Sequence, residues 1–265
     1  MNNLHFSKMH GLGNDFIVVN GLSQSIDLKK TPISELANRH TGIGFDQFLL
    51  ITSSKKADFG CVIFNADGTE AEQCGNGMRC VARFIHENHL SNKKSISIET
   101  KAGVMEAIIH DYDHICINMG MPHFESSEMI SLNDGQPAVT LAVLSMGNPH
   151  AILPVSSVEL FPVAKVGSFI STHPLFPNGT NVGFMEVVTP DRVRLRTFER
   201  GVGETLACGS NACAAVVAGI NDGILAKNVR VELVLGDLQV EWDGESSPVM
   251  LTGPAAQVFS GEVTL

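Results

Sequence analysis

The chain has 265 residues, 44% of them hydrophobic, and 18 Lys and Arg against 28 Asp and Glu leave a formal net charge of −10. That length suits one large domain or two of ordinary size, and the acidic balance argues against nucleic acid or an anionic membrane as partner. The N-terminal MNNLHFSKMHGLGND carries neither a basic leader nor an apolar signal core, and no segment approaches the roughly 20 apolar residues of a membrane span, so a soluble, cytoplasmic protein is expected.

Taken in chain order, GLGND (11–15) leads into the strand-like FIVVN (16–20). No third glycine and no helix follow, so the pair predicts a tight turn rather than a dinucleotide site. PISELANRH (32–40) predicts a helix with Thr31 as its cap. Strands are predicted at 47–53, 59–65, 95–100, 104–110 and 114–120, with a helix over 75–89 between the second and third. The stretch 119–137, MGMPHFESSEMISLNDGQP, is polar, breaks the strand pattern and predicts a division between two halves near 120–135. Further strands are predicted at 138–147, 150–155, 182–188, 192–198, 229–235, 238–242, 249–253 and 257–263. The helix predicted over 209–220 is almost entirely small and apolar, so it should be buried on every side. Few helices among many strands predict an α+β fold.

Six cysteines stand at 61, 74, 80, 116, 208 and 213. Without a secretory signal a disulfide framework is not expected, and Cys61 and Cys116 sit in apolar strand runs that predict core thiols. Neither Cys74 with Cys80 nor Cys208 with Cys213 has zinc-ligand spacing, and no metal site is expected. His86 with His89 and His110 with His114 are read as a solvated helix end and a turn.

One offset organises the rest. A shift of 134 positions lays Gly13-Asn14 on Gly147-Asn148, Gln47 on Asn181, Phe64-Asn65 on Phe198-Glu199, Glu70 on Glu204, and Cys74-Gly75 on Cys208-Gly209. An ordered series without gaps predicts two similarly folded halves whose equivalent loops can face each other across a pseudo-two-fold cleft. Each half would then bring one thiol to a helix start, where unpaired N–H groups and the dipole favour thiolate and bind a carboxylate. Paired thiols on opposite sides of a carbon next to a carboxylate suit proton removal from one face and return from the other, the chemistry of a racemase or epimerase. A redox dithiol is the competing reading of the same pair.

The phrases KMHGLGNDFIVVN (8–20), GIGFDQ (42–47), FNADGTEAEQCGNGMRC (64–80), SMGNPHAI (145–152), NVGFMEV (181–187) and FERGVGETLACGSNACAA (198–215) resemble those of the diaminopimelate epimerase family. The resemblance implies two α+β domains, each a mixed rolled sheet around a central helix, with the active site in the cleft between them. Because the last strand of that family returns to the first domain, it implies a first domain of 1–121 plus about 254–265 with Cys74, and a second of 122–253 with Cys208. It also implies interconversion of LL- and meso-2,6-diaminoheptanedioate for lysine and peptidoglycan synthesis, without pyridoxal phosphate or metal, by a protein that forms a homodimer. By position, Cys74 and Cys208 become the acid/base pair, with His150 supporting catalysis near a cysteine. Gly75, Asn76, Gly209 and Ser210 become the cradle of the reacting carboxylate. Glu199, counted with the catalytic residues as well, takes the α-ammonium and Arg200 the distal carboxylate, with Asn14, Gln47, Asn65, Asn148 and Asn181 on the remaining polar groups. A proline or hydroxyproline racemase would lack the Glu199-Arg200 pair, and a phenazine-type isomerase would lack the two cysteines. Asn211 stands where the family commonly has Gly, and at a positive φ it would be the least costly replacement.

Overall fold

The computed structural model describes residues 3–132 and 138–265. The chain divides into two compact units, Met1–Ile117 with Gly253–Leu265, and Asn118–Thr252.

The first unit opens with a hairpin of β1 (Asn3–Gly11) and β2 (Asn14–Asn20). Its turn places Leu12 at φ 54° and Gly13 at φ 91°, the two positive angles that a tight two-residue hairpin turn requires. The chain then crosses over through α1 (Ile33–Ala37) to β3 (Gln47–Thr52), parallel to β2, and turns back into β4 (Phe59–Asn65). The short β5 (Glu70–Ala71) leads into the long helix α2 (Gly75–Glu87). The strands β6 (Ser95–Thr100), β7 (Gly103–Ile109) and β8 (Ile115–Asn118) follow, with β6 parallel to β4. The C-terminal β18 (Ala256–Thr264) pairs antiparallel with β1.

The sheet is covered on both faces, which is why FIVV and FLLI read as unbroken apolar runs rather than as alternating ones. Ile17, Val19, Phe48 and Leu50 join Leu4, Phe6, Ile33, Leu36 and Phe45 under α1. The other face wraps α2, which packs against β1, β2, β3 and β7. Each of these large side chains contributes about 1.5–3 kcal/mol on burial. The helix α2 ends at Asn88, whose amide donates to Phe84 O at 2.9 Å, and His89 then takes φ 55°.

The second unit repeats the plan. Its strands are β9 (His123–Ile130), β10 (Val139–Ser145), β11 (Pro149–Pro154), β12 (Asn181–Thr189), β13 (Arg192–Glu199), β14 (Gly203–Thr205), β15 (Asn228–Leu233), β16 (Gly236–Glu241) and β17 (Met250–Gly253). The crossover helix α3 (Val163–Ser171) lies between β11 and β12, and the central helix α4 (Gly209–Asn221) follows β14. The pairing senses match those of the first unit: β10 with β11 antiparallel, β11 with β12 parallel, β12 with β13 antiparallel, and β13 with β15 parallel. The helix α4 packs against β10, β11, β12, β13 and β16 and is buried along nearly its whole length, as its composition predicts. Gly223 at φ 72° closes it.

Several expectations are corrected. The first helix stops at Ala37 instead of reaching residue 40, because Asn38 turns extended and its Oδ1 accepts the N–H groups of His40 and Thr41. Thr31 does not cap it: the N-cap is Pro32, and the Thr31 hydroxyl donates to Asp27 O at 3.0 Å. The polar stretch 119–137 does not break the strand pattern throughout, since His123–Ile130 forms β9, paired antiparallel with β10. Alternate exposure along β9 explains its polar composition, and residues 133–137 of that stretch lie outside the described residues. The strand β1 and the helix α3 were not predicted. In α3, Gly167 interrupts the apolar pattern, yet a Cβ there would stand 2.5 Å from Phe198 Cβ, so the close approach of helix to sheet demands glycine. No helix among the described residues is long and apolar enough to cross a membrane.

Candidate active site

Both cysteines of the repeated motif are helix N-caps. Cys74 caps α2 in an extended conformation (φ −152°, ψ 105°), and Cys208 caps α4 in nearly the same one (φ −130°, ψ 111°). The short strands β5 and β14 deliver them, so Gly75 and Gly209 are the first helical residues in their units. Such a start presents unpaired N–H groups and the positive end of the helix dipole to whatever lies before it.

In the first unit, Cys74 Sγ accepts from Gly77 N–H at 3.3 Å and makes a long contact of 3.9 Å to Asn14 Oδ1. A Cβ on Gly77 would press on the same sulfur at 3.3 Å and on Leu49 Cδ1 at 3.2 Å. Asn76, almost wholly buried, donates to Asn14 Oδ1 at 3.1 Å, which brings Asn14, Cys74 and Asn76 together. Gln47 and Asn65 form a second pair across β3 and β4, with Gln47 Nε2 donating to Asn65 Oδ1 at 3.0 Å. Asn65 is held further by its amide to Thr69 Oγ1 at 3.1 Å, while Gln47 Oε1 is buried without a hydrogen-bond partner among the described residues.

In the second unit, Cys208 Sγ lies 3.5 Å from Ser210 Oγ. Glu199, at the end of β13, accepts the Thr205 hydroxyl at 2.5 Å. Asn181 is nearly buried: its amide donates to Pro149 O at 3.0 Å and its Oδ1 accepts Arg200 N–H at 3.1 Å. The exposed Arg200 guanidinium donates to Asn178 O at 3.1 Å. His150 is fully buried, 2.9 Å from Asn148 Oδ1 through Nε2, while its Nδ1 has no partner among the described residues. Burial first, and then the Arg200 charge, push its pKa down to about 3, so the ring is neutral and donates from Nε2.

The remaining thiols differ in kind. Burial pushes the Cys61 thiol far up and the Cys80 thiol up to about 12. These are core groups, as is Cys116.

Asn211 lies inside α4, and its φ is not positive, so the left-handed backbone that would favour Asn plays no part. It occupies the place of Gly77 in the first unit, and Gly183 occupies the place of Leu49. A Cβ on Gly183 would stand 2.3 Å from Asn211 Oδ1. Small helix residue against large strand residue in one unit has become large against small in the other, and the space is conserved. Thr197, directly across from Gly183 on β13, is buried as well.

Sequence reasoning missed the residues behind this front. Asp46 accepts Asn14 Nδ2 at 2.8 Å, and Arg79 donates to Asn76 Oδ1 at 2.9 Å. Arg39 bridges Asp15 and Asp46, and Lys8 is ion-paired with Asp15. Burial pushes the Asp15 carboxyl up, but Arg39 and Lys8 outweigh it and hold the group down at about 2. The signal was present in HGLGND, GFDQ and GMRC, where charged residues adjoin the residues singled out. Among the described residues no three His, Cys, Asp or Glu side chains cluster as metal ligands.

The diaminopimelate epimerase family model matches residues 6–125 and 142–258. A diaminopimelate epimerase of Nitrosospira multiformis is 47% identical over 275 residues, covering 99% of this chain and 99% of its own. One of Acinetobacter baumannii is also 47% identical over 275 residues, covering 99% of this chain and 98% of its own. Among solved structures, a phenazine biosynthesis protein of the PhzF family from Bacillus anthracis superposes with a TM-score of 0.78 at 19% identity over the whole of both chains. A hydroxyproline epimerase from Agrobacterium vitis gives 0.77 at 16% identity, covering 98% of this chain and 92% of its own. These distant structures share the fold of rolled sheets around central helices. The family match takes in both cysteine-capped helices and the relatives align from end to end, so the chain belongs to the diaminopimelate epimerase family.

Proposed function

We propose that the chain interconverts LL- and meso-2,6-diaminoheptanedioate without a cofactor, with Cys74 and Cys208 as its two acid/base groups. The observation that carries this reading is a thiol at the N-cap of each central helix, at one constant offset in two units of the same topology. One thiolate takes the proton from the α-carbon, leaving an enolate-like anion, and the other thiol gives its proton to the opposite face. The carbon is inverted, no electrons are gained or lost, and the two sulfurs have exchanged protonation states. The reverse reaction uses each in the other role.

The N–H groups at Gly75-Asn76 and Gly209-Ser210 take the carboxylate, and their dipoles stabilise the charge that develops on it in the transition state. Glu199, oriented by Thr205, binds the α-ammonium, and Arg200 offers a fork of donors to the distal carboxylate. Asn14, Gln47, Asn65, Asn148 and Asn181 hold the other polar groups of the substrate. His150 supports catalysis as a neutral donor that orients Asn148. The enzyme works on this small molecule in the cytoplasm as a homodimer, an assembly that sedimentation of the purified protein tests.

The deciding experiment follows the α-hydrogen of diaminopimelate in deuterated, metal-free buffer with reduced protein. Exchange is expected with both isomers and should be absent with proline. No exchange with diaminopimelate would sink the epimerase reading. Exchange that survives in Cys208→Ala with both isomers would sink the two-base assignment.

A further inference from the structure

Four side chains of the first unit form a hydrogen-bond chain with a fixed direction. Arg79 Nη2 donates to Asn76 Oδ1 at 2.9 Å, Asn76 Nδ2 donates to Asn14 Oδ1 at 3.1 Å, and Asn14 Nδ2 donates to Asp46 Oδ2 at 2.8 Å. The two ends of an amide have almost the same shape, so only the partners decide which way it points. A guanidinium can only donate and an ionised carboxylate can only accept. With one at each end, neither amide can flip without setting donor against donor or acceptor against acceptor.

Both ends are anchored. Arg79 is fully buried, and its Nε donates to Pro254 O at 3.1 Å. Asp46 accepts from Arg39 Nη2 at 2.8 Å and from the Asp15 N–H at 3.1 Å. The consequence falls on Cys74. Its sulfur lies against a donor, Gly77 N–H at 3.3 Å, and against an acceptor, Asn14 Oδ1 at 3.9 Å. The donor favours the thiolate and the acceptor favours the S–H form. An Asn14 amide turned the other way would put a second donor beside the sulfur and bias it toward thiolate. A group that must take a proton in one direction and give it in the other is served by both neighbours.

We propose that Asp46 and Arg79 are positioning residues which, through the locked amides of Asn14 and Asn76, keep an acceptor beside Cys74 so that its thiol passes readily between protonated and ionised forms. The inference rests on the acid/base reading of Cys74. It concerns one thiol only: at the same offset in the second unit, Asp46 is replaced by Thr180, Arg79 by Cys213 and Asn76 by Ser210. The equivalent chain of amides between two charges is therefore not encoded there.

The test is the pH profile of alkylation by iodoacetamide, read separately for the Cys74 and Cys208 peptides by mass spectrometry, in wild type, Asp46→Ala and Asp46→Asn. In Asp46→Ala the midpoint for Cys74 should fall by about one pH unit, a tenfold change in the thiolate-to-thiol ratio, while Cys208 in the same molecules keeps its profile. Asp46→Asn, which still offers Asn14 an oxygen, should shift less. In turnover assays kcat should fall more than KM changes. An unmoved Cys74 profile in Asp46→Ala, a move to higher pH, or equal moves of both cysteines overturns the assignment. Because alkylation needs no substrate, this result stands apart from whether the wild type exchanges the α-hydrogen of diaminopimelate.

Discussion

His150 makes the fold acid-sensitive in a way that can be measured. Its ring is fully buried and its pKa is held down at about 3, against about 6.5 for a histidine in an unfolded chain. Below the unfolded value the unfolded state binds a proton that the folded state does not. Stability is therefore complete above pH of about 6.5 and falls as the pH drops from there toward 3. At pH 5 the difference from pH 7 amounts to about 2 kcal/mol from this one residue. The cause is local: protonation would place a new N–H at Nδ1, where the ring has no partner, with the Arg200 charge unfavourable as well. The matched variant is His150→Phe, since the equivalent place in the first unit holds the buried Phe16. Urea unfolding at pH 7 and pH 5, with reductant to keep the cysteines as thiols, should show the loss in wild type and most of it removed in the variant. Equal losses in both proteins would refute the reasoning.

Two further outcomes depend on packing and on charge. Gly183→Ala should destabilise by about 1–3 kcal/mol, because its Cβ would meet Asn211 Oδ1 at 2.3 Å and Ile152 Cδ1 at 2.7 Å. Adding Asn211→Gly should return part of that, and a double variant no more stable than the single one in thermal unfolding would refute the reciprocal fit. Lys8→Met removes an ammonium that contacts both Asp15 and Gly44 O, and should cost about 1–3 kcal/mol at pH 7 in urea unfolding. The depressed Asp15 contributes its stability above its usual pKa of 3.8 and loses it as the pH falls through about 2. The gap between the two proteins should therefore narrow in strong acid, and a gap independent of pH would count against the ion pair.

Where a segment's own composition, period or turn residues decide its structure, sequence and structure agree. The strands FIVVN and RVRLRTF, the buried helix after Cys208 and the tight GLGND turn are of this kind. The misses have two physical causes: a partner elsewhere in the chain, or a side chain bonding to the backbone just after it, overrides the expected pattern. Gly167 reads as a helix breaker until Phe198 is seen behind it. The polar His123–Ile130 reads as a linker until β10 supplies its hydrogen-bond partners. Asn38 looks like a mid-helix residue, but its side chain binds the two N–H groups that would have continued the helix.

The same division holds at the site. The two thiols, the glycines after them and the spaced amides stand close to one another in short motifs, so their chemistry and the duplication can be argued from the chain alone. The sequence by itself determined the repeat, the position of each cysteine at a helix start and the residue types available for an anion and an ammonium. Tertiary structure decided which way each amide points, because that depends on Asp46 reaching Asn14, on Asn76 reaching Asn14 and on Pro254 O fixing Arg79. It also decided how the first unit completes its sheet. In the second unit β10 is paired on one side by β9, whereas in the first unit the equivalent side of β1 is paired by β18. The β1–β18 register joins residues as far apart as Asn3 and Thr264, and no local pattern records it.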